Sequence, residues 1–474
     1  MKISGNGIEV SQQGSTSAET SPLNDPSRLP VSVIPSHYKL HFDFNVPQSF
    51  SYTGSLEISL EVSEAMMLCL NMRGIKALWK QARPSNPEKG IARLIFPNSL
   101  SGRGKLSMNF SGRIKRETSL NGIYENPYVN ASGDVSSGIC TLLRQQKLAL
   151  PSPATFELSI RCPAHFQTVL SNMPEKDIKR EGEFNTHVFD QTPRMSTYLL
   201  CMILGSYDVL SSTFGDTLIS VYTPLKRSEQ GKYPLKVALK CMEFFSTYFD
   251  VPYSLPNLDL IAVSRLSVGA MENWGLITYR ESGLLVDESH TAPSHQQKIA
   301  SLVSHEISHQ WFGNLVTMSW WSDLWLNEGL ATLFQYIGIQ DLFSDYPSIP
   351  DQFVVNTSVP ALRQDALESS HPIRVPIRES SEISSAFDRI TYCKGAAVLC
   401  MLHNYLGKDT FREGIRVYVK KYSYGNAETE DLWACLSQAA QVDVESIMRE
   451  WTLVKGYPLV RVSLLESNSI VLSQ

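Results

Sequence analysis

The sequence predicts a multidomain chain: an N-terminal antiparallel β-sandwich or saddle domain, then a mainly α-helical domain, then a partial β-hairpin. Three observations carry that expectation. At 474 residues the chain exceeds what one hydrophobic core normally organises. Its first part alternates apolar and polar residues with a period of two, whereas its second part repeats them with a helical period. Hydrophobic residues make up 43% and charged residues 19%, the balance of a globular protein.

Residues 1–30 are rich in Ser, Gly, Pro, Thr and Asn, with too few apolar side chains for a core, and are expected to be disordered. They contain no continuous apolar run of the kind a secretory signal needs. The β domain is expected over 31–210. There Tyr38, Leu40, Phe42 and Phe44 alternate with His37, Lys39, His41 and Asp43, and Leu56, Ile58, Leu60 and Val62 repeat the pattern. Clusters of Gly, Asn, Ser and Pro punctuate these runs, as in an antiparallel sheet buried on one face. The helical period, as in KYPLKVALKCMEFFSTYF, is expected over 211–456. From 457 onward, GYPLVRVSLLESNSIVLSQ returns to alternation around Val460, Val462 and Leu464, then turns. A lone hairpin is not a stable unit, so it reads as the start of an incomplete sandwich.

The bulk numbers exclude several function classes. The formal charge of −5, with no basic run, argues against a nucleic-acid partner or an anionic membrane surface. The apolar stretch YLLCMIL at 198–204 is too short to span a bilayer. Eight cysteines are scattered without a C-x-x-C pair, which favours free buried thiols and, with no secretory signal, a cytoplasmic protein. Oligomeric state leaves no signature.

Chemistry first shows in VSHEISHQWFGNLVT, residues 303–317, where His305 and His309 stand four apart around Glu306. His37 and His41 have the same spacing and supply a control. On a strand four residues span roughly 13 Å, too far for two ligands of one metal at about 2.1 Å each. On a helix the same spacing rises only about 6 Å and returns to nearly the same face. Residues 295–312 read as a helix, with Ser294 as N-cap, Gln297 in the capping-box position, and a stripe of Ile299, Leu302, Val303, Ile307 and Trp311. His305 and His309 lie together beside that stripe. Glu306 sits where a general base, not a ligand, belongs.

Three further motifs stand in order around this one: GAMENWGLITYRE at 269–281, WWSDLWLNEGLATLFQY with Glu328, and SSAFDRITYCKGAAVLCML with Tyr392. Glu328 follows His309 by nineteen positions, in a second apolar helical run. Together they resemble the zinc aminopeptidases of peptidase family M1, within the gluzincin clan, nearest the cytosolic puromycin-sensitive type. The resemblance covers most of residues 31–474. It implies a thermolysin-like catalytic domain and one zinc ion per chain, held by His305, His309 and Glu328. It further implies that Glu306 serves as base and then acid towards a zinc-bound water, and that Tyr392 stabilises the oxyanion. Glu272 would hold the free α-ammonium of a peptide substrate, with Gly269, Ala270, Met271 and Asn273 lining the peptide.

Two departures from the family pattern bear on activity. Family members carry a second amine-binding acid in the β domain, but residues 140–156 read CTLLRQQKLALPSPATF, with no acid between Asp134 and Glu157. Arg144 and Lys147 stand there instead, so weakened substrate binding is expected. The family also continues into a β-sandwich and a helical domain that caps the cleft, whereas this sequence ends just inside the sandwich. The alternative is therefore a catalytically impaired homologue that binds peptides or a full-length partner. A thermolysin-type endopeptidase shares H-E-x-x-H but has no reason to carry GAMEN. Trp311, Phe312, Trp320, Trp321 and Trp325 read as core, and Cys393 as a small buried apolar residue rather than a nucleophile.

Overall fold

A computed structural model describes residues 32–46, 48–71, 76–77, 84–86, 91–116, 120–129, 132–143, 153–343, 348–378, 380–464 and 469–473. The expected disorder of 1–30 and the placement of Arg144 and Lys147 lie outside the described residues.

The first alternating run forms the strand Val33–Asn45, in which Leu40, Phe42 and Phe44 are buried and Lys39, His41 and Asp43 are not. It pairs antiparallel with Ser51–Asn71, which pairs antiparallel with Ile91–Arg113. The inward rings interlock, with Phe42 edge-on to Phe110 at 5.3 Å between centroids. Such a contact adds about 0.5–1.5 kcal/mol beyond the area it buries. One pairing departs from the antiparallel expectation, because Val33–Asn45 runs parallel to Thr155–Pro163. A parallel neighbour requires a long connection. Here that connection includes Gly122–Val129 and Val135–Leu142, two strands of a separate four-stranded sheet. The same pairing separates the control histidines: His37 Nδ1 meets the Thr155 hydroxyl at 2.7 Å and His41 Nδ1 the Ser159 hydroxyl at 2.8 Å. They do not converge.

The second part opens on a sheet that the helical period hides. Tyr207–Phe214, Thr217–Pro224, Asn257–Val263, Leu276–Arg280 and Ala270–Met271 form a five-stranded mixed sheet in that order. Its middle strand, Asn257–Val263, is parallel to both neighbours and buried at every position. A strand covered on both faces has no reason to alternate, so period two is absent from its sequence. Regular helix begins with Lys232–Phe249 rather than at 211, burying Val237, Ala238, Cys241, Met242, Phe245 and Phe249. Against it pack the helices Pro293–Ser308 and Leu324–Leu342. Residues 324–334 are buried on all sides, so that helix is central rather than amphipathic. Trp311, Phe312, Trp320, Trp321 and Trp325 are core residues, at most 3% exposed.

The hairpin Arg461–Leu464 with Ile470–Ser473 forms as expected, and its described residues are exposed. Seven described cysteines are free thiols, with Cys393 and Cys400 half-buried and the other five buried. Among the described residues, no helix is long and apolar enough to cross a membrane.

One buried ion pair ties the second half together. Lys394 Nζ lies 2.8 Å from Asp365 Oδ2 and donates to the Val454 and Gly456 carbonyls. Asp365 also accepts from the Ser370 hydroxyl and the Gly456 N–H. Burial pushes the Asp365 carboxyl up, but Lys394 and these donors outweigh it and hold the group below its ordinary value. Lys394→Met should cost about 3–5 kcal/mol, because it strands a buried carboxylate. A depressed carboxylate contributes stability that is present above its unfolded pKa and lost as pH falls through the folded one. Without Lys394, burial favours the neutral carboxyl in the variant, so the parent-minus-variant difference in denaturant unfolding should be full at high pH and shrink as pH falls, first as the variant's Asp365 protonates and last as the parent's does.

Candidate metal centre

The helix bearing the first histidine spans Pro293–Ser308, with Ala292 as its N-cap and Pro293 at N1. Ser294 therefore lies inside the first turn and does not cap it. Pro293 takes the position where a missing N–H costs nothing, and it fixes the helix start two residues earlier than the capping-box reading. His305 is in the last turn, while His309 is the C-cap residue, still at helical angles of φ −58° and ψ −22°. Helical geometry thus persists just far enough to bring both imidazoles together, and their Nε2 atoms lie 3.1 Å apart. His309 Nδ1 lies 2.8 Å from the Phe312 carbonyl, which can only accept. One proton therefore resides on Nδ1, so Nε2 is the nitrogen left to face a metal once its own proton is displaced.

Glu328 enters from the helix Leu324–Leu342. Its Oε2 is 3.3 Å from His309 Nε2 and 3.6 Å from His305 Nε2. Both Glu328 oxygens and His305 Nδ1 are buried, with no hydrogen-bond partner among the described residues. Leaving a buried carboxylate so is costly unless a cation satisfies it. Three donors held tetrahedrally about 2.1 Å from one zinc ion would be about 3.4 Å apart. The observed separations bracket that value. His305, His309 and Glu328 can hold a single divalent ion.

Without an ion, the charges of this cluster balance on one proton. Burial disfavours the His309 imidazolium, yet the Glu328 carboxylate outweighs it and raises the group to about 10. Burial lowers His305, and the neighbouring His309 charge adds to that. Burial alone would raise Glu328, but the two histidines hold it well below the carboxylate range. An incoming cation must displace the His309 proton, so loading is favoured as pH rises and opposed as it falls.

A second grouping, Glu272, Glu306 and His309, brings its ligand atoms within 4.8 Å of one another. Glu272 is 3%, Glu306 5% and Glu328 1% exposed. Three buried carboxylates around two imidazoles leave room for more positive charge than one divalent ion brings. An ammonium group is a natural complement.

Glu272 follows the edge strand Ala270–Met271 of the five-stranded sheet. Gly269 is exposed, and no atom lies within 4 Å of where its Cβ would stand. Ala270 is buried and Met271 is wholly buried, while the Asn273 amide turns inward at 3.5 Å from both the Met271 carbonyl and the Thr278 hydroxyl. The side chains of Met271 and Asn273 are thus turned into the protein. Tyr392 lies in the turn Ile390–Lys394, half-buried, with its ring 6.1 Å from that of His305 and nearly parallel to it. Two glycines permit this approach. A Cβ on Gly329 would meet the Gly395 Cα at 3.3 Å, so the Glu328 helix and the Tyr392 turn touch backbone to backbone. Cys393 is half-buried, and burial raises its thiol, the opposite of an activated nucleophile.

Several supporting groups carry no signal in spacing or composition. The Asn314 amide donates to the Glu272 carbonyl at 2.9 Å. Asn172, from the β domain, donates to the Trp274 and Leu199 carbonyls, each at 2.7 Å, and accepts from the Cys201 N–H. It pins the segment after Glu272 to the β domain.

Comparisons with known proteins agree with this geometry. Residues 233–451 match the peptidase family M1 domain, and residues 34–199 match the peptidase M1 N-terminal domain. The chain is 38% identical over 466 residues to aminopeptidase M1-A of Oryza sativa subsp. japonica, covering 92% of this chain and 52% of the relative. It is 36% identical to aminopeptidase M1 of Arabidopsis thaliana over 463 residues, with the same coverage. Identity to human glutamyl aminopeptidase is also 36%, over 466 residues, 92% of this chain and 48% of the relative. The chain thus spans about half the length of the curated relatives it matches. These relatives carry several aminopeptidase names and do not specify the puromycin-sensitive type.

Proposed function

Because this chain belongs to peptidase family M1, we propose that it is a zinc metallo-aminopeptidase that hydrolyses the N-terminal bond of peptides with a free amino end. The observation that carries this reading is the convergence of His305 Nε2, His309 Nε2 and a Glu328 oxygen at 3.1–3.6 Å, beside two more buried carboxylates. Zinc bound there would supply Lewis acidity to the scissile carbonyl and lower the pKa of water to about 7. Glu306 then takes the proton of the attacking water and returns it to the leaving nitrogen. The Tyr392 hydroxyl donates to the oxygen that becomes negative. Glu272 receives the substrate ammonium and so sets which peptide bond reaches Glu306. The edge strand that begins at Ala270, after the exposed Gly269, offers backbone groups to an extended peptide in β register. The seven described free thiols support a reducing, cytoplasmic setting; subcellular fractionation tests that placement.

Release of the chromophore from alanine- or leucine-anilides tests the reading. Activity should vanish with a chelator and return with zinc, and an N-acetylated peptide should resist. Cleavage inside an N-acetylated peptide, or activity indifferent to chelation, would overturn it. Tyr392→Phe should lower kcat by roughly 10²–10³-fold with little change in KM, the usual effect of removing one oxyanion donor.

A further inference from the structure

We propose that Tyr198, a residue of the β domain, is a positioning residue for the metal centre that fixes the His309 and Glu328 arms relative to each other. The inference rests on the zinc reading above and extends it to a domain that, among the described residues, contributes no ligand.

Tyr198 sits in the short helical turn Thr197–Leu199 and is 3% exposed. Its ring meets Trp321 edge-on at 5.7 Å, which holds the hydroxyl in place. That hydroxyl donates to the Gly313 carbonyl at 3.2 Å and accepts from the Asn327 amide at 3.3 Å. Each partner adjoins a ligand. Gly313 follows Phe312, whose carbonyl takes the Nδ1 proton of His309 and so sets the tautomer and direction of its Nε2. Asn327 immediately precedes Glu328.

The three groups are packed without slack. Gly313 adopts φ +123°, and a Cβ there would meet the Asn327 amide at 3.2 Å and His309 Nδ1 at 3.4 Å. The Gly313 carbonyl also accepts from the Thr317 hydroxyl at 2.8 Å, so this turn is tied on its own side and bridged to the Glu328 helix by Tyr198. One hydroxyl therefore links the loop behind one ligand to the helix turn before another. Groups that orient metal ligands from behind commonly change metal affinity or activity 10–100-fold when removed.

The test compares zinc dissociation constants, by competition with a chromophoric chelator, for the parent chain, Tyr198→Phe, Asn327→Ala and the double variant. Tyr198→Phe should weaken zinc by about tenfold or more. At saturating zinc, KM for leucine-anilide should stay at the parent value, because Tyr198 orients ligands and not substrate. The double variant should bind zinc no worse than the weaker single variant, since both changes break the same bridge. Parent-like zinc affinity in Tyr198→Phe, or effects of the two changes that simply add, would overturn the proposal. If Tyr198→Phe does not fold, Asn327→Ala alone decides, and unchanged zinc affinity there counts against the bridge. A parent chain that binds no zinc sinks the metal reading itself, an outcome distinct from these.

Discussion

Glu306→Gln should lower kcat for anilide release by roughly 10³–10⁴-fold while the purified variant keeps its zinc. The substitution conserves shape and removes only the ability to take and return a proton. General acid–base catalysis by a positioned side chain is worth roughly 10²–10⁴-fold, and the upper end is expected because this carboxylate is 5% exposed. Water can substitute poorly as base in so enclosed a site. Zinc is expected to stay, because His305, His309 and Glu328 form a grouping complete without Glu306. KM should change little, since the proposed receptor of the ammonium is Glu272 rather than Glu306. Metal content measured beside kcat separates loss of the base from loss of the ion. A variant within tenfold of the parent would show that the proton is handled elsewhere.

Glu328→Ala should have an equally large effect by another route, through loss of the ion. Its carboxylate is 1% exposed and is the charge that holds His309 high in the metal-free chain. Without it, burial is opposed only by Glu272 and Glu306, so the imidazolium is less favoured. The variant offers two neutral imidazoles where zinc sites of this kind use three protein ligands. A ligand that binds only the folded state stabilises it by about 4 kcal/mol at a thousand times its dissociation constant. Added zinc should therefore raise the unfolding temperature of the parent by several degrees and leave that of Glu328→Ala unmoved. Parallel shifts in both proteins would place the stabilising ion elsewhere.

What could be read in the sequence divides along physical lines. The strand at Leu40, Phe42 and Phe44 was legible because its sheet is wet on one face, and the helix at Val237–Phe249 positions because it is buried on one side. The strand Asn257–Val263 was not, because burial on both faces removes periodicity. The parallel pairing of Val33–Asn45 with Thr155–Pro163 joins segments more than a hundred residues apart, and no local pattern reports it. Within the site, His305, Glu306 and His309 were legible because helical spacing alone aligns them. Glu328, Glu272 and Tyr392 came from family resemblance, and the structure brings them to the same place. Asn172, Asn314 and Tyr198 act through hydrogen bonds to backbone carbonyls, a role open to many residue types in a sequence. Only the folded positions identify them.

The most direct measurement is zinc content of the purified chain, together with X-ray absorption at the zinc edge. About one zinc per chain is expected, with two imidazole nitrogens and carboxylate oxygen bound to it at about 2.0–2.2 Å. A folded chain that retains no zinc when it is supplied, or zinc bound without imidazole, would contradict that expectation.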